Sequence, residues 1–586
     1  MEARHALIQG RIRSMLGKPI KLHLFLLVCA LVLSACGGSA SPAATPSQPT
    51  ALPADALKLT FVYGSEKKAW VEAVTKSFND SRVKTPAGKT INVEMIAIGS
   101  GESVEDIKTG KLTPALWSPA SSIWIPIMNQ DWQQLKNKDL IDQTAEPCKQ
   151  AVLSPVVVAM WKPMAQALGW PDKPIGWADI AKISTSPNGW ADYGQPQLGK
   201  FRFGHTHPAN SNSGLQTIIA MAYAASNPGR VLTEADVARP ETAKFINDLE
   251  SAVSHYGSST GFFADAMVAR GPSYLSAAVV YESSVVASYD VNGMQRNVDY
   301  PLVAIYPKEG TFLSDHPMCI PDAAWMNDDL RAAARLYRDY LLTKPVQQQA
   351  LQFGFRPADP SIPLAKPLSV EFGVDPKQPA TVLSVPDAKT INAVQNVWQA
   401  QKRQVNLSLV IDISGSMKGD NKIVGAREGA KAFVDLLDPS DNLTLIVFDD
   451  RQDVLFDNVN VGTSRAAIKQ KLELLQPRGG TALFDSIAVA AGRMTIDPKR
   501  INALVVMTDG QDTDSTKYKD ATALMDALTK TREGTTSTDI TLFTIGYGKD
   551  ADSKVLNIIA QRGGGKYSSG STSDITAVFR DIALFF

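Results

Sequence analysis

From Leu57 to the end of the chain, short apolar runs alternate with stretches whose apolar residues recur at helical spacing. The first run, 57–63 (LKLTFVY), predicts a buried strand, and Trp70, Val71, Val74 and Phe78 then share one helix face. Residues 91–98, 155–161 (PVVVAMW) and 277–281 (AAVVY) predict further strands. Strands separated by helical patterns predict a largely parallel sheet with helices on both faces.

Beyond residue 403 the alternation becomes more regular. Residues 405–412 predict a strand, and 423–437 a helix that turns Ile423, Ala426, Ala430, Phe433, Val434 and Leu437 inward. Segments 443–448, 503–507 and 540–545 are unbroken apolar runs, as expected of strands covered on both faces. Helices near 464–475, 482–494, 518–531, 552–561 and 573–585 would supply the cover, giving a doubly wound α/β layout. The helical pattern of Ile391, Val394 and Trp398 runs almost directly into Val405 without a Gly/Pro-rich spacer. Residues 57–403 and 404–586 are therefore expected to touch, so that closure of the first part could bias the second.

Ahead of Leu57 the pattern differs. Lys18 and Lys21 precede an apolar run, 22–33, broken only by His23. A spanning helix needs about 20 apolar residues, so residues 1–35 predict a secretory signal. The run closes on Leu33-Ser34-Ala35-Cys36-Gly37, which resembles the lipobox of bacterial lipoproteins. That resemblance implies a lipid on Cys36 and attachment to the extracytoplasmic face of a bacterial cell membrane. Residues 36–56, rich in Pro, Ser and Ala, predict a flexible tether. At about 3 Å per residue it reaches roughly 60 Å.

Composition narrows the function classes. Hydrophobic and charged fractions of 44% and 20% are ordinary for a globular protein. The formal net charge is zero, but the leader holds Arg4, Arg11, Arg13, Lys18 and Lys21 against Glu2 alone. The remainder is mildly acidic and gives no electrostatic reason to bind nucleic acid. Of the four cysteines only Cys148 and Cys319 lie in the body. They could pair in an oxidising compartment or stay as buried thiols.

The chemistry concentrates near the C-terminus. The strand ending at Asp412 runs into Asp412-Ile413-Ser414-Gly415-Ser416, Gly479-Gly480-Thr481 forms a second loop, and the strand 503–507 leads to Thr508-Asp509-Gly510. Open α/β sheets place ligands at the carboxyl ends of their strands. Asp412, Ser414, Ser416, Thr481 and Asp509 offer two carboxylates and three hydroxyls. This all-oxygen set suits a hard cation, Mg2+ before Mn2+ or Ca2+. With the phrases LVIDISGSM, GGTALFDS and VVMTDGQDT, residues 405–586 resemble the von Willebrand factor A domains and their metal-ion-dependent adhesion site. The resemblance implies that the cation keeps one position open for an acidic residue of a protein partner.

Catalysis finds little support. Residues 405–586 hold no His, the usual acid–base group near neutral pH, and Asp485 and Asp512 read as outer or solvated carboxylates. The run 563–566 lacks a P-loop's first Gly and its Ser/Thr, with Ala560 and Tyr567 in those places. It reads as a loop before the last strand.

Residues 57–385 resemble, less specifically, the type II periplasmic solute-binding proteins, which implies two lobes with chain crossings, here near 150–160 and 280–320. Ser-rich turns lead into helices at Gly64-Ser65, Gly99-Ser100-Gly101, Ser121-Ser122 and 210–214. Helix N-termini and hydroxyls can hold an anion, while serine is also a common cap. Candidate solute contacts are Ser65, Ser121, Ser122, Ser211, Ser213 and Glu282, the last suited to an amine or hydroxyl. His205-Thr206-His207 reads as a surface loop.

The expected molecule is a non-enzymatic, lipid-anchored binding protein that couples solute recognition to Mg2+-dependent protein binding. The alternative is the substrate-binding component of an ABC permease, with the second part as a docking element. A metal-dependent hydrolase is the reading these residues support least.

Overall fold

The computed structural model describes residues 56–290, 300–497, 499–530, 540–583 and 585. The leader, Cys36 and the tether up to residue 55 lie outside them.

The N-terminal half has two lobes. In the first, Leu57–Gly64 lies between Ile91–Ile98 and Leu116–Ser118, all parallel. The helix Lys68–Asp80 buries the predicted face of Trp70, Val71, Val74 and Phe78. The second lobe is built around Val152–Trp161, whose burial is almost unbroken. This strand pairs antiparallel with Ala277–Tyr281, Leu302–Ile305, Leu313–Ser314 and Arg356–Pro357. Antiparallel pairing at the centre departs from the largely parallel expectation, because apolar runs do not encode strand direction.

The chain passes between lobes at 150–152 and 314–317, where Lys149–Gln150 pairs with Pro317–Met318. Cys148 and Cys319 form a disulfide across these segments, with Cα atoms 4.4 Å apart. The bond clips chain positions 171 residues apart at the crossing.

The C-terminal half holds a six-stranded sheet in the order Gln452–Asn460, Asn442–Phe448, Val405–Asp412, Ile501–Thr508, Thr541–Tyr547, Gly564–Gly570. Val405–Asp412 and Ile501–Thr508 are buried at every residue. Lys422–Leu436 and Ile575–Ala583 cover one face, while Leu483–Arg493, Ala521–Lys530 and Ser553–Arg562 pack a second apolar cluster on the other. One strand was not expected, and the last strand begins earlier than expected. Gln452–Asn460 is an antiparallel edge strand of mostly half-buried residues. Gly564–Gly570 takes in the glycine run assigned above to a loop. A Cβ on Gly565 would lie 1.9 Å from the Leu542 carbonyl oxygen, so glycine lets this backbone reach its neighbour.

The halves touch through the helix Ala388–Gln401 and the chain's end. The Gln399 side-chain amide donates to Asp438 Oδ2 (2.7 Å). Within the N-terminal half, Trp398 Nε1 donates to Glu250 Oε1 (2.9 Å), which His205 Nε2 also meets at 2.9 Å, and Tyr256 donates to Glu250 Oε2 (2.6 Å). His205 is therefore a fully buried residue of the strand Phe203–Thr206, not part of a surface loop. Its polarity hid an inward position that Glu250 satisfies. The Tyr256 amide donates to the Phe585 carbonyl, and Arg403 Nη1 to the Val253 carbonyl (2.8 Å).

Candidate metal centre and interlobe cleft

Strand register brings the two carboxylates together. Val405–Asp412 and Ile501–Thr508 pair in parallel with Ile411 opposite Met507, so Asp412 and Asp509 leave adjacent strands at the same end. The Ser414 amide donates to Asp412 Oδ1 (2.7 Å), curling the loop back on the strand end. Ser414 Oγ and Ser416 Oγ lie 2.9 Å apart, and Ser416 donates to Asp509 Oδ1 (2.7 Å).

Thr481 comes from the third loop. The Gly415 amide donates to the Gly479 carbonyl, and the Thr481 amide to Asp514 Oδ2 (2.7 Å). A Cβ on Gly510 would lie 3.8 Å from Thr481 Oγ1 and 4.0 Å from Ser416 Oγ, so all three loops face one spot.

Asp412 and Asp509 are fully buried. Burial pushes the Asp412 carboxyl up to about 6, hydrogen bonds from Ser414 and Thr508 pull against that rise, and the Asp509 charge adds to it. A carboxylate strained by burial and by a like charge, beside three hydroxyls, is the environment a bound cation relieves. The five side chains fit a hard divalent ion on donor chemistry.

Lys422, unmarked in the sequence analysis, also reaches this centre, with Nζ 2.7 Å from Asp509 Oδ2. Its signal was present: it precedes the inward Ala426 and Ala430 at four-residue steps. Asp485 accepts backbone amides from Thr516, Lys517 and Tyr518, and Asp512 accepts from Ser515 Oγ and the Phe484 amide. Both tie the loop 512–518 to the helix Leu483–Arg493.

In the N-terminal half one of these serines, Ser65, reaches across the lobes, and the others bond within theirs. Ser65 Oγ donates to Ser259 Oγ (2.9 Å) and accepts the Gly261 amide. Ser211 and Ser213 both contact Thr260 Oγ1, at 3.0 and 2.8 Å. Ser121 Oγ accepts the Ile123 amide, and the Ser122 amide donates to Asp315. The amides of Gly101 and Glu102, at the start of the helix Ser100–Lys108, donate to the Asn210 carbonyl. Glu282 stands apart from the serine contacts. It is fully buried and holds Arg356 through both oxygens (2.8 and 2.7 Å), with the Tyr306 hydroxyl on Oε1. Arg356 and Tyr306 come from distant segments that no local motif links to Glu282.

An open cavity of about 960 Å3 lies beside this contact, lined from both lobes by Trp70, Asp265, Phe262, Tyr289 and Phe355 among others.

Comparison with known proteins agrees with this division. The family model for bacterial extracellular solute-binding proteins matches residues 59–356, and that for the von Willebrand factor type A domain matches 405–569. An uncharacterized protein of Mycobacterium tuberculosis (strain CDC 1551) is 24% identical over 477 residues; the match covers 78% of this chain and 66% of that relative. The chain thus spans slightly under two thirds of that relative's length. Among solved structures, a von Willebrand factor type A protein from Catenulispora acidiphila is 25% identical at a TM-score of 0.27, covering 31% of this chain and 42% of its own. The sulfate-binding protein SubI from Mycobacterium tuberculosis H37Rv is 19% identical at a TM-score of 0.39, covering 57% and 96%.

Proposed function

Because the chain belongs to the bacterial extracellular solute-binding protein family and carries a von Willebrand factor type A domain behind that part, we propose that it is an extracytoplasmic binding protein with two kinds of ligand. The C-terminal half grips an acidic side chain of a protein partner through a divalent cation, Mg2+ by preference. The N-terminal half takes a small solute in the open cavity between its lobes. A lipid on Cys36 holds the molecule at the membrane.

The observation that carries this reading is the meeting of three loops on one buried spot with the Asp412 carboxyl pushed up to about 6. Asp412, Ser414, Ser416, Thr481 and Asp509 would hold the ion, and the ion would supply an electrophilic position for a carboxylate. Calorimetric titration of Mg2+ into the full chain tests the centre. Asp412→Ala is expected to weaken uptake at least about tenfold, and equal uptake by wild type and variant would end the proposal. For the anchor, Cys36→Ser should move the protein from the membrane to the soluble fraction, and unchanged partition would remove the lipid from the account.

A further inference from the structure

The lobes leave no gap where their serines meet. A Cβ on Gly101 would lie 1.9 Å from the Ala209 carbonyl oxygen, and one on Gly261 2.7 Å from that of Ser65. Next to this contact sits a group the sequence analysis did not mark. The Lys67 side chain is only 1% exposed. Its Nζ lies 2.9 Å from Glu66 Oε1 and 3.1 Å from His316 Nδ1, with the Asp315 carboxylate acting on it as well.

An ammonium removed from water is strongly unfavourable unless charge and hydrogen bonds replace its hydration. Here Glu66 Oε1 and His316 Nδ1 replace part of it and the Asp315 charge adds to them, while burial still lowers the Lys67 pKa. His316 is held by unusual means: its backbone is left-handed (φ 40°), which is uncommon outside glycine. Its ring packs edge-on to Tyr281 of the second lobe and to Phe355, at 5.5 and 5.6 Å. Its Nε2 is buried without a hydrogen-bond partner, so Nδ1, the atom facing Lys67, carries its polar contacts. Nδ1 also lies 3.2 Å from Glu66 Oε1, so it faces the ammonium and the carboxylate at once. Burial, then the Lys67 charge, lower the His316 pKa against the pull of Glu66 and Asp315.

We propose that Glu66, Asp315 and His316 form an ammonium-binding site at the lobe junction whose resident ligand is the Lys67 side chain, so that the lobes close on a cation the chain supplies itself. The same site would accept an external primary alkylammonium once Lys67 is shortened. This inference is independent of the metal centre and goes beyond the proposed solute site, which lies in the neighbouring cavity.

The test is chemical rescue in the full chain, read by small-angle scattering and thermal melting without any solute. Lys67→Ala leaves Glu66 buried without its cation and vacates three carbons and the nitrogen. It is expected to enlarge the radius of gyration and to lower the first melting transition by about 5 °C or more. Propylammonium should restore both values, while 1-propanol of the same length should not. Lys67→Met keeps the volume and drops the charge, so it decides the matter where the alanine variant does not fold. Under the proposal it is destabilised like the alanine variant. A wild-type profile and melting curve for Lys67→Met, or equal effects of propylammonium and propanol on Lys67→Ala, would overturn the proposal.

Discussion

The proposed metal centre and the lobe junction both gather polar side chains from distant loops, yet they end in opposite electrostatic states. At the junction the hydroxyls of Ser65, Ser121, Ser211 and Ser213 each bond to another residue of the chain, and Lys67 faces Glu66. At the proposed metal centre two buried carboxylates leave adjacent strands, Lys422 pairs with Asp509 alone of the two, and the Asp412 carboxyl stays high. Converging hydroxyls say little about a ligand, since hydroxyls both donate and accept and can satisfy one another. Converging carboxylates cannot do so, and the charge they leave over asks for a cation.

The sharpest way to break this comparison is to give the N-terminal half an unbalanced charge of its own. Glu282 and Arg356 form a buried pair, the carboxylate wholly inaccessible. Removing one partner of such a pair costs about 3–5 kcal/mol, whereas replacing both with apolar groups is often near neutral. Arg356→Met is expected to lose that much in denaturant unfolding of the receptor transition, and Glu282→Leu/Arg356→Met to recover most of it. A double variant no better than the single would mean that the pair does not balance itself and that Glu282 has another role.

At the metal centre the expected gain comes from outside. Mg2+ at about 100 times its dissociation constant should stabilise the C-terminal transition by about 2.7 kcal/mol through mass action. Asp509→Asn should abolish the shift, because it removes one carboxylate and leaves Lys422 with only the longer contact to Asp550. A shift of equal size in the variant would place the ion elsewhere.

How far the sequence carried these contrasts depends on how local each signal is. The loop carrying Asp412, Ser414 and Ser416 and the position of Asp509 after its strand were legible because both follow unbroken apolar runs, and parallel register then aligns their ends. Strand direction in the second lobe was not legible, since Val152–Trp161 is apolar whichever way its partners run. His205 was misplaced because its satisfying group, Glu250, lies 45 residues away. Lys422 was within reach, as it stands one helical turn before Ala426. Lys67 could not be read, because the His316 ring that helps enclose it is 249 residues distant.

Smaller effects sharpen the junction side. Ser65→Ala removes a hydroxyl that bonds both Ser259 and the Gly261 amide. Each lost hydrogen bond of this kind costs about 1 kcal/mol, so this variant and Ser213→Ala should each destabilise by about 1–2 kcal/mol in urea while leaving Mg2+ uptake unchanged. A stabilised variant would mean that the hydroxyls are strained against one another in the closed form and belong to a ligand.

The least conspicuous carboxyl group combines both situations. Glu102, in the first turn of the helix Ser100–Lys108, feels the charge of Asp581 on the C-terminal helix Ile575–Ala583. Burial, then the charges of Asp581 and Asp106, push Glu102 up to about 7 against the pull of Lys111. Asp581 itself is exposed. Here a proton takes the part that a metal ion would take at Asp412. The folded chain keeps a proton on Glu102 that the unfolded chain releases near 4.5, so this group favours folding at low pH, and that contribution is lost as pH rises towards about 7. Glu102→Gln stays neutral throughout. Its melting temperature should match the wild type near pH 4.5 and exceed it at pH 8, the difference opening between those values. Parallel curves across that range would mean that Glu102 ionises freely and that the carboxyl groups of the two halves do not press on each other.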